Sequence, residues 1–231
     1  MKKKVLIIGG SSDIGFELAK NFINQNYNLT LHYNKNLKIL KNFKSNCKLI
    51  RANFASIKIN KILKKFDEDY DIIINLTGFI SKKSFENFTI KTLEKTLKIN
   101  SIVPMLIFRM SINNMIKKKW GRITNISSVG VKFGGGQNSY EYSLSKHFNE
   151  FIPSNLRRIA KHNVFYNVIR IGLTNTKIHK NIVNKNLHKR IALVPVKKMA
   201  EPIDIANYIY YISSIKNKFI TNEVLNIVGG E

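Results

Sequence analysis

The chain has 231 residues, 44% of them hydrophobic and 23% charged, a balance that suits one packed α/β domain and excludes a disordered or fibrous chain. A single cysteine, Cys47, allows no internal disulfide, and the lack of Cys/His ligand clusters points to no metal site and to a reducing, cytoplasmic setting. The net charge of +25 raises nucleic-acid binding, but the lysines are scattered among abundant asparagine and isoleucine, all with A/T-rich codons, so compositional drift accounts for the charge and no nucleic-acid partner is expected.

Taken in order, the apolar run Val5–Ile8 ends in Gly9-Gly10-Ser11-Ser12-Asp13-Ile14-Gly15, and an amphipathic stretch from Phe16 to Ile23 follows. This reads as strand, tight turn and helix. The apolar run after the N-terminal lysines is too short for a secretory leader, and no run approaches the roughly 20 residues that span a bilayer. Neither export nor membrane association is expected. Further strands are predicted at Leu29–Tyr33, Lys48–Arg51 and Asp71–Asn75, with helical patterns at Leu37–Phe43 and Ile57–Phe66 between them. A helix near Ile99–Lys117 precedes a strand at Arg122–Ile126, and a helix from about Tyr140 to Lys161 precedes a strand at Phe165–Ile171. Pro153 falls inside that last helix and should kink it. After a loop-rich insert from Leu173 to Lys198 come a helix near Ile203–Ile215 and a strand at Val224–Val228. Strands alternating with helices predict a doubly wound parallel sheet of the Rossmann type, one domain spanning residues 1–231.

In such a sheet, ligands bind beyond the carboxyl ends of the strands. Gly9, Gly10 and Gly15 bracket the first strand-to-helix turn, where glycine lets backbone N–H groups approach a pyrophosphate beside the positive end of a helix. Asn75-Leu76-Thr77-Gly78 closes the fourth strand, Asn100 sits at a helix start, and Ile171-Gly172-Leu173-Thr174-Asn175-Thr176 follows the sixth strand, where a Gly-Thr loop can hydrogen-bond a carboxamide. Tyr142 and Lys146 lie one helical turn apart on a common face. A nearby ammonium can lower the tyrosine pKa, and Ser128 brought alongside could hold a carbonyl oxygen. The three together make a proton donor for a carbonyl under reduction.

Jointly these residues resemble the short-chain dehydrogenase/reductase family over essentially the whole chain. Gly9–Gly15 resembles the family's cofactor turn, with Ser11, Ser12 and Ile14 within it, and Asn75-Leu76-Thr77-Gly78 is similar to its Asn-Asn-Ala-Gly stretch. Asn100, Ser128, Tyr142 and Lys146 match its catalytic tetrad. Residues Lys198–Pro202 and Thr221–Gly230 resemble its C-terminal signature. The resemblance implies hydride transfer from a nicotinamide to a carbonyl. Tyr142 donates the proton, Lys146 lowers its pKa and binds the nicotinamide ribose, Ser128 holds the substrate oxygen, and Asn100 holds a water linking Lys146 to solvent. Asp13 stands where the family has a glycine; it is expected to cap free N–H groups and turn from the phosphates.

NAD-preferring relatives end the second strand with an acidic residue. Here Tyr33 takes that position, with Asn34 and then Lys35, a cation for a 2′-phosphate, so NADP is favoured over NAD. Asn53 and Phe54 should touch the adenine. The resemblance is strongest to 3-oxoacyl-ACP reductases, with a 3-oxoacyl thioester as the small-molecule substrate. An acidic acyl carrier protein could dock on Lys117-Lys118-Lys119 or Arg157-Arg158-Ile159-Ala160-Lys161, although solvated faces explain these clusters equally. The insert 173–198 should be a substrate lid, with Ile178, Ile182, Ile191, Leu193 and Val194 available to an acyl chain. A reductase of sugar or surface-polysaccharide intermediates, and a catalytically idle NAD(P)-sensing scaffold, stay open. Assembly as a homotetramer or homodimer through the helices of Asn100 and Tyr142 is a family implication.

Overall fold

The computed structural model describes residues 2–177 and 186–231. Seven parallel strands form one sheet: β1 (Lys4–Ile8), β2 (Asn28–Tyr33), β3 (Cys47–Arg51), β4 (Ile72–Asn75), β5 (Gly121–Ser128), β6 (Val164–Ile171) and β7 (Val224–Ile227), in the order β3-β2-β1-β4-β5-β6-β7. The order reverses between β1 and β4, so the turn after β1 opens into a crevice. The register aligns the strand ends: Ile8 faces Asn75, Asn75 faces Asn125, and Ser128 faces Ile171.

Alternation along β1 feeds two cores. Val5 and Ile7 pack with Leu18 and Phe22 of helix α1 (Asp13–Asn24) and with Ile205 and Ile209 of a late helix, Pro202–Ser213. Leu6 and Ile8 pack on the other face with Ile107 and Phe108 of another helix, Val103–Lys117, and with Tyr166. A strand buried on both faces must be apolar along its covered length, as Val5–Ile8 of β1 and Ile72–Ile74 of β4 are.

The remaining helices of the described residues are α2 (Ile59–Leu63), α3 (Ile90–Leu97), α4 (Val103–Lys117), α5 (Tyr140–Phe148), α6 (Ser154–Arg158), α7 (Leu187–Leu193) and α8 (Pro202–Ser213). Leu37–Phe43 contributes only a 3₁₀ segment, Lys38–Phe43, and α3 is an element the sequence reading did not separate. It is capped by Thr89 and joined to α4 through a π-turn at Lys98–Ile102 that contains Asn100.

Pro153 does more than kink its helix. The pyrrolidine ring would clash with the carbonyl four residues earlier and pushes the preceding residue out of the helical region, so α5 stops at Phe148. Pro153, at φ −59° and ψ 144°, then caps α6. The basic clusters are also displaced from expectation. Lys117–Lys119 lie just before Gly121, the first residue of β5, whereas Ser128 ends the strand. Seven strand steps put them about 23 Å apart. Arg157, Arg158 and Lys161 likewise precede the start of β6 at Val164. Both clusters sit at the amino ends of the strands, opposite the crevice.

Candidate active site

The turn after β1 is shaped for close approach. Gly9 has φ +83°, and a Cβ on Gly15 would lie 2.8 Å from the carbonyl oxygens of both Gly9 and Gly10. Ser12 caps α1, accepting from the Gly15 N–H at 3.0 Å. Asp13 does not cap the helix. Its carboxylate accepts the Lys177 N–H at 2.8 Å and pairs with the Lys177 amine at 3.4 Å, tying the turn to the start of the insert. His32, which the sequence reading gave no role, buttresses the turn from β2. Its Nδ1 accepts from the Gly9 N–H at 3.2 Å, so Nε2 carries the hydrogen and donates to the Ala52 carbonyl at 3.0 Å. The ring stacks on Phe54 at 4.3 Å, and burial lowers its pKa to about 4, which keeps it neutral. The signal available for it was a histidine between Leu31 and Tyr33 at the carboxyl end of a strand.

Two cavities flank this turn. One, of about 290 Å³, is bordered by Gly9, Asn34, Asn53, Phe54, Leu76 and Gly78. Asn53 spends its Oδ1 on the Ala55 N–H at 3.0 Å, and Phe54 is buried under His32. Tyr33 and Lys35 line neither cavity: Tyr33 packs against the core, and Lys35 is exposed. The larger cavity, about 660 Å³, runs from Ser11, Ser12 and Ile14 past Leu76, Thr77 and Gly78 to Ser128, Tyr142 and Lys146. Ile171, Gly172, Thr174 and Thr176 close its far side. Gly172 is required there, since a Cβ would meet the Val228 Cα at 2.7 Å.

Asn75 organises the floor between the cavities. Its Nδ2 donates to the Asn100 carbonyl at 3.1 Å and to Asn125 Oδ1 at 2.8 Å, while its Oδ1 accepts from the Thr77 N–H at 3.1 Å and the Thr77 hydroxyl at 2.6 Å. Asn100 is fully buried, and both polar atoms of its side chain are engaged. Its Oδ1 accepts from the Phe79 N–H at 2.8 Å, and its Nδ2 donates to the Phe79 carbonyl and to Ser145 Oγ, both at 2.9 Å. Its carbonyl takes the Asn75, Thr77 and Asn149 side chains. Both acceptor atoms of Asn100 are thus engaged by protein donors, the carbonyl by three and the Oδ1, which has room for a second, by one.

Ser128 ends β5, and its Oγ accepts the Gly130 N–H at 3.2 Å. Lys146 is buried, its amine donating to the Thr77 carbonyl at 2.7 Å and the Ile126 carbonyl at 2.9 Å. It lies 5.6 Å from the centre of the Tyr142 ring. Burial pushes the Tyr142 phenol up to about 12, opposed by a hydrogen bond from Ser128, and brings the Lys146 amine down to about 7. The expected lowering of the tyrosine by the lysine is thus outweighed by desolvation, which disfavours both charged forms.

Within the insert, Thr174 bridges to Ala200, and Leu173 and Val194 are buried as packing. Leu193 is exposed and Ile191 half-buried; Ile178 and Ile182 lie outside the described residues. Arg190 of α7 reaches the large cavity and pairs with Glu231. No group of three or more potential metal ligands occurs among the described residues, and no helix there is long and apolar enough to cross a membrane.

A doubly wound sheet whose glycine turn opens at the switch point, continuous with a serine, a tyrosine and a buried lysine, defines a dinucleotide-dependent oxidoreductase. Residues 3–187 match the model of the family described as short chain dehydrogenase, and the chain belongs to that family. Among its relatives, the 3-oxoacyl-[acyl-carrier-protein] reductase FabG of Aquifex aeolicus (strain VF5) is 31% identical over 73% of this chain and 71% of its own. The 3alpha-hydroxysteroid dehydrogenase of Mediterraneibacter gnavus is 26% identical over 99% of this chain and 97% of its own. The solved structure of ElxO with NADP bound superposes with a TM-score of 0.82 at 24% identity, covering 100% of this chain and 98% of that one. The protein is an oxidoreductase of the NAD(P)-using short-chain class.

Proposed function

We propose that this protein is an NADPH-dependent carbonyl reductase whose preferred substrate is a 3-oxoacyl thioester. The observation that carries this reading is that Ser128, Tyr142 and Lys146 line one cavity that continues to the glycine turn. When bound, the nicotinamide supplies the hydride. Gly9, Ser11, Ser12, Ile14 and Gly15 would hold the pyrophosphate at the amino end of α1. Asn34, Asn53 and Phe54 would border the adenosine, Asn75, Leu76, Thr77 and Gly78 its ribose side, and Ile171, Gly172, Thr174 and Thr176 the carboxamide. Lys35, with Tyr33 behind it, would meet a 2′-phosphate. The cradle fits such a ligand: Gly15 leaves no room for a side chain, and the helix it opens is capped by Ser12.

Ser128 orients the substrate oxygen, and Tyr142 passes its hydroxyl proton to the alkoxide as it forms. A phenol raised to about 12 is fully protonated at neutral pH, as a donor must be. Lys146 would hold the nicotinamide ribose hydroxyls through its amine, which lies 5.6 Å from the centre of the Tyr142 ring. Asn100 serves by holding the loop at Phe79 and the helix at Ser145. An acidic carrier protein would meet Arg190 and Lys177 at the cavity, since the two basic clusters lie at the other end of the sheet. Leu144 and Phe148, both exposed on α5, suit a homodimer or homotetramer.

A second reading, reduction of a keto-sugar, is favoured by the polar wall of Gln137, Asn138, Ser139 and Arg190. NADPH oxidation assayed with β-ketoacyl thioesters and with keto-sugars separates the two. Tyr142→Phe should abolish turnover, leaving less than about 1%, while melting and cofactor affinity stay nearly unchanged. Turnover above a few percent would defeat the assignment of Tyr142, whereas a wild type that binds NADPH yet reduces neither substrate class would favour an idle, cofactor-sensing site.

A further inference from the structure

Asn149 lies one turn beyond Lys146 and is completely buried, at the residue where α5 is forced to end. Its Nδ2 donates to the Ile126 carbonyl at 3.2 Å and to the Asn100 carbonyl at 3.3 Å. The first of these carbonyls also takes the Lys146 amine. Both neighbours are acceptors, so the amide must present its nitrogen to them; flipping it would set oxygen against oxygen. Among the described residues, its Oδ1 is then left buried without a protein donor. An orphaned carbonyl of this kind costs about 1–3 kcal/mol unless a water fills it. The Lys146 amine has three hydrogens and, among the described residues, two protein acceptors.

We infer that Asn149 is a positioning residue for Lys146: its nitrogen holds the Ile126 carbonyl that the amine shares, and its oxygen holds a buried water that accepts the third hydrogen of the amine. This rests on the reductase reading for its catalytic meaning. It gives Asn149 a share in the water-holding expected of Asn100, whose carbonyl already takes three side chains.

No charged group faces the amine from the elements packed around it, among the described residues. β5 presents the Ile126 carbonyl, the segment after β4 the Thr77 carbonyl, the π-turn before α4 the Asn100 carbonyl, and α5 itself Tyr142. Glu150 is engaged by both Arg170 and the Ser127 hydroxyl. An acceptor beside the amine favours its charged form, so losing that acceptor lowers the amine's titration midpoint and adding a carboxylate raises it.

The test is a ¹³C-lysine NMR titration of the ligand-free protein, with the Lys146 signal assigned by its loss in Lys146→Met. Asn149→Leu should move the midpoint down by about half a pH unit or more, and Asn149→Asp should move it up. In the kcat profile of Asn149→Leu, the limb on which the amine loses its proton should shift the same way, with the carbonyl-substrate KM unchanged. A midpoint unmoved in either folded variant overturns the inference. Because the titration needs no turnover, moved midpoints in a protein that reduces no carbonyl would refute the reductase reading alone. An active protein with fixed midpoints would refute the role of Asn149 alone.

Discussion

Lys146 is an amine without a counter-ion in the interior, and that makes it a pH-dependent liability that Lys146→Met should remove. Burial takes its pKa from 10.5 to about 7 in the folded chain. The unfolded chain therefore binds more protons than the folded one between these values, and stability should rise with pH across the window. Each pKa unit is worth about 1.4 kcal/mol. At pH 6 nearly the whole penalty, on the order of 5 kcal/mol, is present, and at pH 9 about 2 kcal/mol is left. The wild type should thus gain about 2–3 kcal/mol relative to Lys146→Met on going from pH 6 to pH 9. The absolute stabilities are less informative, because the methionine leaves the Thr77 and Ile126 carbonyls short of a donor. The double difference cancels that fixed cost. Urea unfolding of both proteins at the two pH values measures it, and parallel pH dependences, within about 0.5 kcal/mol, would refute a buried amine held near neutrality.

Gly15→Ala places a methyl 2.8 Å from two backbone oxygens that cannot yield, so the turn must open. We expect a loss of about 1–3 kcal/mol in stability together with weaker NADPH binding, read by melting and by fluorescence titration; an alanine variant that binds normally would show that the turn is not the cradle. Lys35→Asp should weaken NADPH at least about tenfold, the worth of one charge-assisted contact, and leave NADH within about twofold; tighter binding of NADH than NADPH by the wild type would overturn the cofactor preference.

The parallel sheet was readable because its cause is local. Runs such as Val5–Ile8 and Ile72–Ile74 are apolar at every position, which only a strand covered on both faces requires, and the glycines after Ile8 mark where backbone must pass close to backbone. The shared helical face of Tyr142 and Lys146 was readable from their spacing, Ser128 joined them through the family resemblance, and the three line one cavity. The helix after Lys146 was misjudged in degree, since Pro153 together with the restriction on its predecessor ends the helix instead of bending it.

What the chain decided by itself was which segments become strands and helices and which side chains share a face, because repeats of two and 3.6 residues are written in neighbouring positions. What only the folded molecule decided was how polar groups far apart in sequence satisfy one another. Asp13 pairs with Lys177, His32 supports Gly9, the Asn100 acceptors are consumed by Asn75, Thr77 and Asn149, and Lys146 lies in a medium dry enough to draw its proton off. Strand order and burial set those pairings and that dielectric, and neither has a signature within any short stretch of residues.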